Sequence, residues 1–231
     1  MKRTTERHSD FSVTRGAQRL PRLWKCIERK FFAQPPETVA PLLLGKLLAR
    51  RTASGWLAGR IVEVEAYYGP HSVIPDPAAH SFRGITPRNA VMFGSPGHAY
   101  VYFIYGMYYC VNVTCEPEGM AGCILIRAIE PMLGQGEMAQ NRKLPVETRD
   151  AKLTGGPGKL CQALAITRSD HNGLDLLDAA SSLQLRQDGF VPGQIEITPR
   201  IGIRHAAELP LRFALGDNPW VSGVRNRKAP V

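Results

Sequence analysis

The chain has no apolar run near the roughly 18 residues needed to span a bilayer, so no membrane-crossing helix is expected. Cysteine is sparse and odd in number: Cys26, Cys110, Cys115, Cys123 and Cys161. No pair has C-x-x-C spacing, and no apolar secretion-type stretch follows the basic start Met1-Lys2-Arg3. A disulfide framework is therefore not expected, and the expected location is the cytoplasm, at the nucleoid if the source is bacterial. Cys110, Cys115 and Cys123 cluster in sequence among strand-like apolar residues. They read as small buried apolar side chains, because a zinc site needs several thiolates or imidazoles at ligand spacing. No metal or cofactor is expected. Internal repeats and long low-complexity linkers are also missing, which leaves one domain as the simple organisation.

Acidic residues are outnumbered, 20 against 29 Lys and Arg, for a formal charge of +9. Six of those nine charges fall in residues 1–30, where nine Lys or Arg face three Asp or Glu. This stretch reads as a basic, flexible arm ahead of a folded domain over 31–225, with Pro35-Pro36 at its threshold. A basic body with a basic arm suits a polyanion such as nucleic acid. A merely solubilising tail accounts for the charge equally well. With 44% hydrophobic residues in 231, a packed core rather than disorder is expected.

Punctuation and periodicity predict a mixed α/β domain rich in strand. A short helix is expected over Glu37–Leu44. A hairpin follows, with strands Lys46–Arg51 and Trp56–Tyr67 around Ala53-Ser54-Gly55. Proline and glycine make Gly69–Asn89 a long ordered loop, a length that in compact domains goes with function. His98–Val113 reads as two strands broken at Gly106, and Cys123–Ile129 as a buried strand. A helix is expected after Glu130-Pro131, and another from Gly155-Gly156-Pro157 to about Ile166. Late strands are expected over Ile195–Ile203 and Leu211–Leu215.

Three segments carry chemistry. In the strand Ile61-Val62-Glu63-Val64-Glu65-Ala66-Tyr67, alternation sends Val62, Val64 and Ala66 to the core and puts Ile61, Glu63, Glu65 and Tyr67 on the other face. Two carboxylates beside an aromatic ring can hold a planar substrate next to a general base, and neighbouring carboxylates push their pKa values apart. Taken alone, however, a half-exposed strand with solvated glutamates is the favoured reading. In Tyr100–Tyr109, five tyrosines fall within ten residues. Aromatic rings stack on bases, and Tyr105, just before Gly106, would project from a turn. Tyr100, Tyr108 and Tyr109 read better as core residues whose hydroxyls find partners. In the loop Ala78–Asn89, His80 could contact a bound base, and Arg83 and Arg88 could reach phosphates. Solvated loop residues are the plain alternative.

Taken together, these segments resemble one family. Gly59–Tyr67, Thr86-Pro87-Arg88-Asn89 with Met92-Phe93, Tyr100–Met107, Gly156–Leu164, Pro199–Ile203 and Asn218–Ser222 are similar, in order, to motifs of the alkyladenine (3-methyladenine) DNA glycosylases. The resemblance covers about Leu44 to Ser222. It implies an α+β single domain around a curved antiparallel β-sheet with flanking helices. It also implies a monofunctional enzyme of base excision repair, a monomer acting on double-stranded DNA containing damaged purines. Tyr105 matches the residue that intercalates in place of an extruded nucleotide. Tyr67, His80 and Tyr102 match the groups that hold the flipped base. Asn112 matches a polar group at the pocket floor. Glu65 matches the base that activates water, and Arg127 an arginine that helps hold that water. Lys159 is expected on a phosphate or in a structural cap, and Glu63 in structure. Val64 stands where the family has threonine, Tyr68 where an aliphatic residue is common, and His71-Ser72-Val73-Ile74 lengthens the loop before His80. Two alternatives remain: a non-catalytic damage-binding module, and a sugar or nucleotide hydrolase using Glu63 and Glu65 as an acid–base pair.

Overall fold

A computed structural model describes residues 20–223. Its strands form one open antiparallel sheet in the order β1-β7-β2-β3-β6-β5-β4, with β9 on β3 and β8 on β9. The strands are β1 Lys25–Cys26, β2 Leu47–Thr52, β3 Gly55–Tyr67, β4 Ala99–Ile104, β5 Tyr108–Cys115, β6 Gly122–Leu133, β7 Leu183–Gln187, β8 Ile195–Thr198 and β9 Arg212–Leu215. Four helices flank them: α1 Pro36–Leu43, α2 Gln135–Asn141, α3 Pro157–Ala163 and α4 Arg168–His171. α1 packs on β3 and β6, and α3 on β5 and β6. The α+β class and the single antiparallel sheet are as expected from the sequence.

Residues 1–19 of the expected arm lie outside the described residues. Residues 20–30 include β1, which pairs with β7, and Ile27, which is buried in the main core. The packed body thus takes in side chains ahead of residue 31.

β3 is the organising strand. Its first half pairs with β2, and Glu63–Glu65 pair with β9 instead. On its other side Ala58–Tyr67 pair with β6, with register shifts between Ala58 and Gly59, Ile61 and Glu63, and Glu63 and Val64. A bulge adds a residue to one strand and bends it locally. One consequence is that Ile61 and Val62 both enter the apolar core, so Ile61 does not share the glutamate face. Plain alternation holds only beyond the bulge.

Several boundaries differ from the sequence expectation for identifiable reasons. No helix follows Glu130-Pro131 directly, because β6 runs on to Leu133 and α2 starts at Gln135. Pro131 is tolerated because β5 has already left that flank: it pairs only with Gly122–Leu125 of β6. A strand edge does not need the missing N–H. The strand expected over Ile195–Ile203 stops at Thr198. Proline at position 199 ends the ladder, and residues 199–203 leave the sheet to cross the site described below. β1, β7 and α4 had no clear sequence signal. Where the chain leaves β3, Gly69 is obligatory, since a Cβ there would stand 1.7 Å from the Met120 carbonyl oxygen.

Candidate active site

The site lies at the C-terminal end of β3. Glu63 and Glu65 are both 0% exposed, so the solvated reading of this face does not hold. β9 and the segment 199–203 cover it.

Glu63 is saturated. Its Oε1 accepts hydrogen bonds from Arg127 Nε at 2.8 Å, Arg212 Nε at 2.7 Å and Ser222 Oγ at 2.8 Å. Its Oε2 accepts from the Ser222 backbone N–H at 2.7 Å. Burial alone would raise the Glu63 pKa, but Arg127, Arg212 and the Ser222 bonds outweigh it and hold the carboxyl below the ordinary range. The Asn218–Ser222 motif is explained here: Trp220 and Val221 plug into the core, and Ser222 caps Glu63.

Glu65 is held more lightly. Its Oε2 accepts from the Tyr67 hydroxyl at 2.9 Å, and its Oε1 from the Ile201 N–H at 2.7 Å. Arg127 Nη1 lies 3.2 Å from Oε1. Arg127 thus bridges both carboxylates. It reaches them because it sits at the register shift between Glu63 and Val64, two residues from Leu125, which pairs with Glu65. Burial opposes the arginine's charge, but Glu65 and Glu63 overcome it and raise its pKa further.

Glu65 and Arg127 line a cavity of about 260 Å³ with Tyr105, Tyr102, Pro157 and Ile201. A neighbouring cavity of about 120 Å³ is walled by Tyr67, His80, Tyr100, Tyr102 and Asn112. Tyr67 and Tyr102 line both, so the two cavities are adjacent across these rings. The smaller one is walled mainly by aromatic rings. His80 meets Tyr102 edge-on at 4.5 Å between centroids, and Tyr100 and Tyr102 are stacked at 5.5 Å. His80 Nδ1 lies 2.8 Å from the Tyr100 hydroxyl. Burial and the charge of Arg88 lower the His80 pKa, so the imidazole is neutral at pH 7. Burial also pushes Tyr100 up to about 12 and raises Tyr67 further, with Glu65 adding to it. Both phenols stay protonated. Asn112 donates from Nδ2 to the Tyr100 carbonyl at 3.0 Å.

The sequence reading undervalued three things. Tyr100 is buried with its hydroxyl partnered, as expected of a core residue, yet it also walls the cavity. Tyr108 is 38% exposed rather than core. Arg200, quoted only within a motif, proves central. It is 5% exposed, forms a bidentate pair with Asp76 at 2.7 and 2.8 Å, and lies 4.5 Å from the Tyr67 ring centroid. It lines neither cavity, so it backs the ring from behind. A buried arginine between two stretches of loop has no periodic sequence signal.

The Thr86-Pro87-Arg88-Asn89 motif is a brace. Asn89 Oδ1 accepts from the Thr86 N–H and hydroxyl, and Asn89 Nδ2 donates to the carbonyls of His80 and Gly84. It thereby fixes the backbone that presents His80. Arg83 and Arg88 are exposed on this loop, and Arg88 stands 5.7 Å from the Tyr102 centroid. Lys159 lies half-buried on α3, whose first residues Pro157 and Gly158 line the larger cavity. Tyr105 is 76% exposed at the tip of the β4–β5 hairpin. There Tyr105 and Gly106 have φ of 53° and 67°, the positive values of a tight hairpin turn. For tyrosine that conformation costs about 1–2 kcal/mol.

Residues 30–219 match the family model described as Methylpurine-DNA glycosylase. The chain belongs to this DNA glycosylase family. Among its relatives is a protein of Koribacter versatilis named "Putative 3-methyladenine DNA glycosylase", 50% identical over 86% of this chain and 94% of its own. Proteins of the same name from Rhodopseudomonas palustris and Methanocella arvoryzae are 49% and 44% identical. They cover 87% and 85% of this chain, and 90% and 95% of their own. No helix among the described residues is long and apolar enough to cross a membrane.

Proposed function

We propose that the chain is a monofunctional 3-methyladenine-type DNA glycosylase that flips alkylated or deaminated purines out of duplex DNA and hydrolyses the N-glycosidic bond. The observation that carries this reading is the pair of adjacent cavities that share Tyr67 and Tyr102 as walls. One has aromatic walls for a base, and the other places a buried carboxylate and a guanidinium beside it. Tyr105 fills the gap left in the duplex. Flipping costs a few kcal/mol, least for a weakly paired damaged base. The base stands between Tyr67 on one side and His80 and Tyr102 on the other. Asn112 spends one amide hydrogen on Tyr100 and has a second donor, so a purine bearing an amino group there meets donor with donor.

Water enters the Glu65 cavity. Glu65 Oε2, with one bond from Tyr67, keeps an acceptor direction free to take a proton from it. The water oxygen bonds to the sugar C1′ as the bond to the base nitrogen breaks, and the electron pair leaves with the base. Arg127 steadies Glu65 and the water. Arg83, Arg88 and Lys159 contact phosphates. No lysine Schiff base is used, so the product is an intact strand with an abasic site. One chain supplies every group, so the active unit is a monomer.

The test is incubation with lesion-bearing duplex oligonucleotides, read with and without alkali. Strand cleavage that requires alkali is expected. Tight, lesion-specific binding with no released base would overturn the reading in favour of a non-catalytic damage-binding module. Cleavage without alkali would overturn its monofunctional part.

A further inference from the structure

A third cavity shares His80 and Tyr100 as walls with the base pocket. Its volume is about 460 Å³, inside the range of roughly 300–1,000 Å³ typical of ligand sites. Arg83, Arg88, His205 and the ring of Phe82 line it, and no carboxylate does. Two guanidiniums suit a phosphate. A phosphate alone gives no use to an aromatic ring that is 41% exposed, and an apolar ligand gives no use to the arginines. Phosphate and flat base together use both.

The loop that offers these groups is not slack. Asn89 ties the carbonyls of His80 and Gly84. Ser81, 0% exposed, donates from Oγ to the Ala121 carbonyl at 3.0 Å. Phe82 and Arg83 therefore stand on a backbone pinned at both ends, and little ordering remains to oppose binding. Arg88 connects the sites, lining this cavity while standing 5.7 Å from the Tyr102 ring of the base pocket.

We propose that this cavity is a second nucleotide subsite. It takes the base of a nucleotide next to the flipped one, stacked on Phe82, with the phosphate between the two held by Arg83 and Arg88. The proposal rests on the glycosylase reading and gives the enzyme a grip on two consecutive nucleotides of one strand.

The test is a cycle of base deletion against side-chain deletion. Duplexes carry the non-hydrolysable lesion 2′-fluoro-ethenodeoxyadenosine, with the 5′ or the 3′ neighbour either intact or replaced by an abasic spacer. Affinity is read by fluorescence anisotropy with the full-length chain. Stacking on an aromatic side chain is worth about five- to a hundredfold in affinity. Removing one of the two neighbouring bases should weaken wild-type binding by that order. Phe82→Ala should bind the intact and spacer duplexes alike, and Phe82→Trp should restore the difference. Equal losses for Phe82→Ala on every duplex, or no neighbour effect in wild type, would overturn the subsite and leave phosphate contacts alone. Release of hypoxanthine from a matching duplex, measured in parallel, reports on the glycosylase reading by itself, so the two can fail separately.

Discussion

Glu63 and Glu65 stand two residues apart on β3, on the same face and with the same zero exposure. Glu63 faces two arginines and both donors of Ser222. Glu65 has one phenol, one backbone N–H and the outer end of Arg127, and it lines the cavity beside Tyr105, which Glu63 does not. The first is a structural anion that fastens β3, β6, β9 and the C-terminal segment. The second is a carboxylate kept in place with room left for a reactant. A buried carboxylate is thus not a functional signal in itself. What separates the two is how many of its acceptor directions the protein has filled.

The comparison breaks most sharply at Glu65. Glu65→Gln keeps the shape and removes the base. Single-turnover base release should fall by about 10²–10⁴-fold, the usual contribution of a general base, while affinity for lesion duplex stays within a few-fold. A rate within a factor of a few of wild type would remove Glu65 from the chemistry. Glu63→Gln should do the reverse. It removes the anion that Arg127 and Arg212 share and leaves Arg127 with Glu65; breaking such a buried pair costs about 3–5 kcal/mol. Urea unfolding should show that loss, with base release per folded molecule falling far less than in Glu65→Gln. The same order of loss is expected for Asp76→Ala, which orphans Arg200 behind Tyr67.

A smaller effect tests the tip of the site. Tyr105→Ala should cost lesion-duplex affinity about 1–3 kcal/mol, the worth of one stacked ring. It should leave stability nearly unchanged, since the ring is 76% exposed and alanine keeps the Cβ that strains this position at φ 53°. Equilibrium binding to abasic-analogue duplex measures the first and thermal unfolding the second. The gentlest effect is on pH. Because Glu63 is held below its ordinary value of 4.5, its contribution to stability is complete above that value. It is lost as pH falls through the depressed folded value. Denaturant midpoints measured downward from pH 6 should decline below pH 4.5 in wild type, and less steeply in Glu63→Gln.

Much of the site was legible in the chain. Period-2 alternation puts Glu65 and Tyr67 on one face beyond the bulge, and Tyr105-Gly106 between two strand-like runs marks a turn. Tyr100 was harder to read, because a core tyrosine and a cavity-wall tyrosine share the same strand periodicity. Arg200 was harder still, since its partners Asp76 and Tyr67 lie more than 120 residues away. The bulge that drops Ile61 into the core is a property of two strands together, as is the arrival of β9 that turns an exposed face into a buried one.

The sequence by itself determined that the central segments are strands, the hairpin that carries Tyr105 and the long loop that carries His80, because local periodicity and turn chemistry act over a few residues. Only the tertiary structure decided that Glu63 is saturated while Glu65 lines a cavity, and that Arg200 backs Tyr67. Burial and hydrogen-bond saturation depend on segments brought together from opposite ends of the chain.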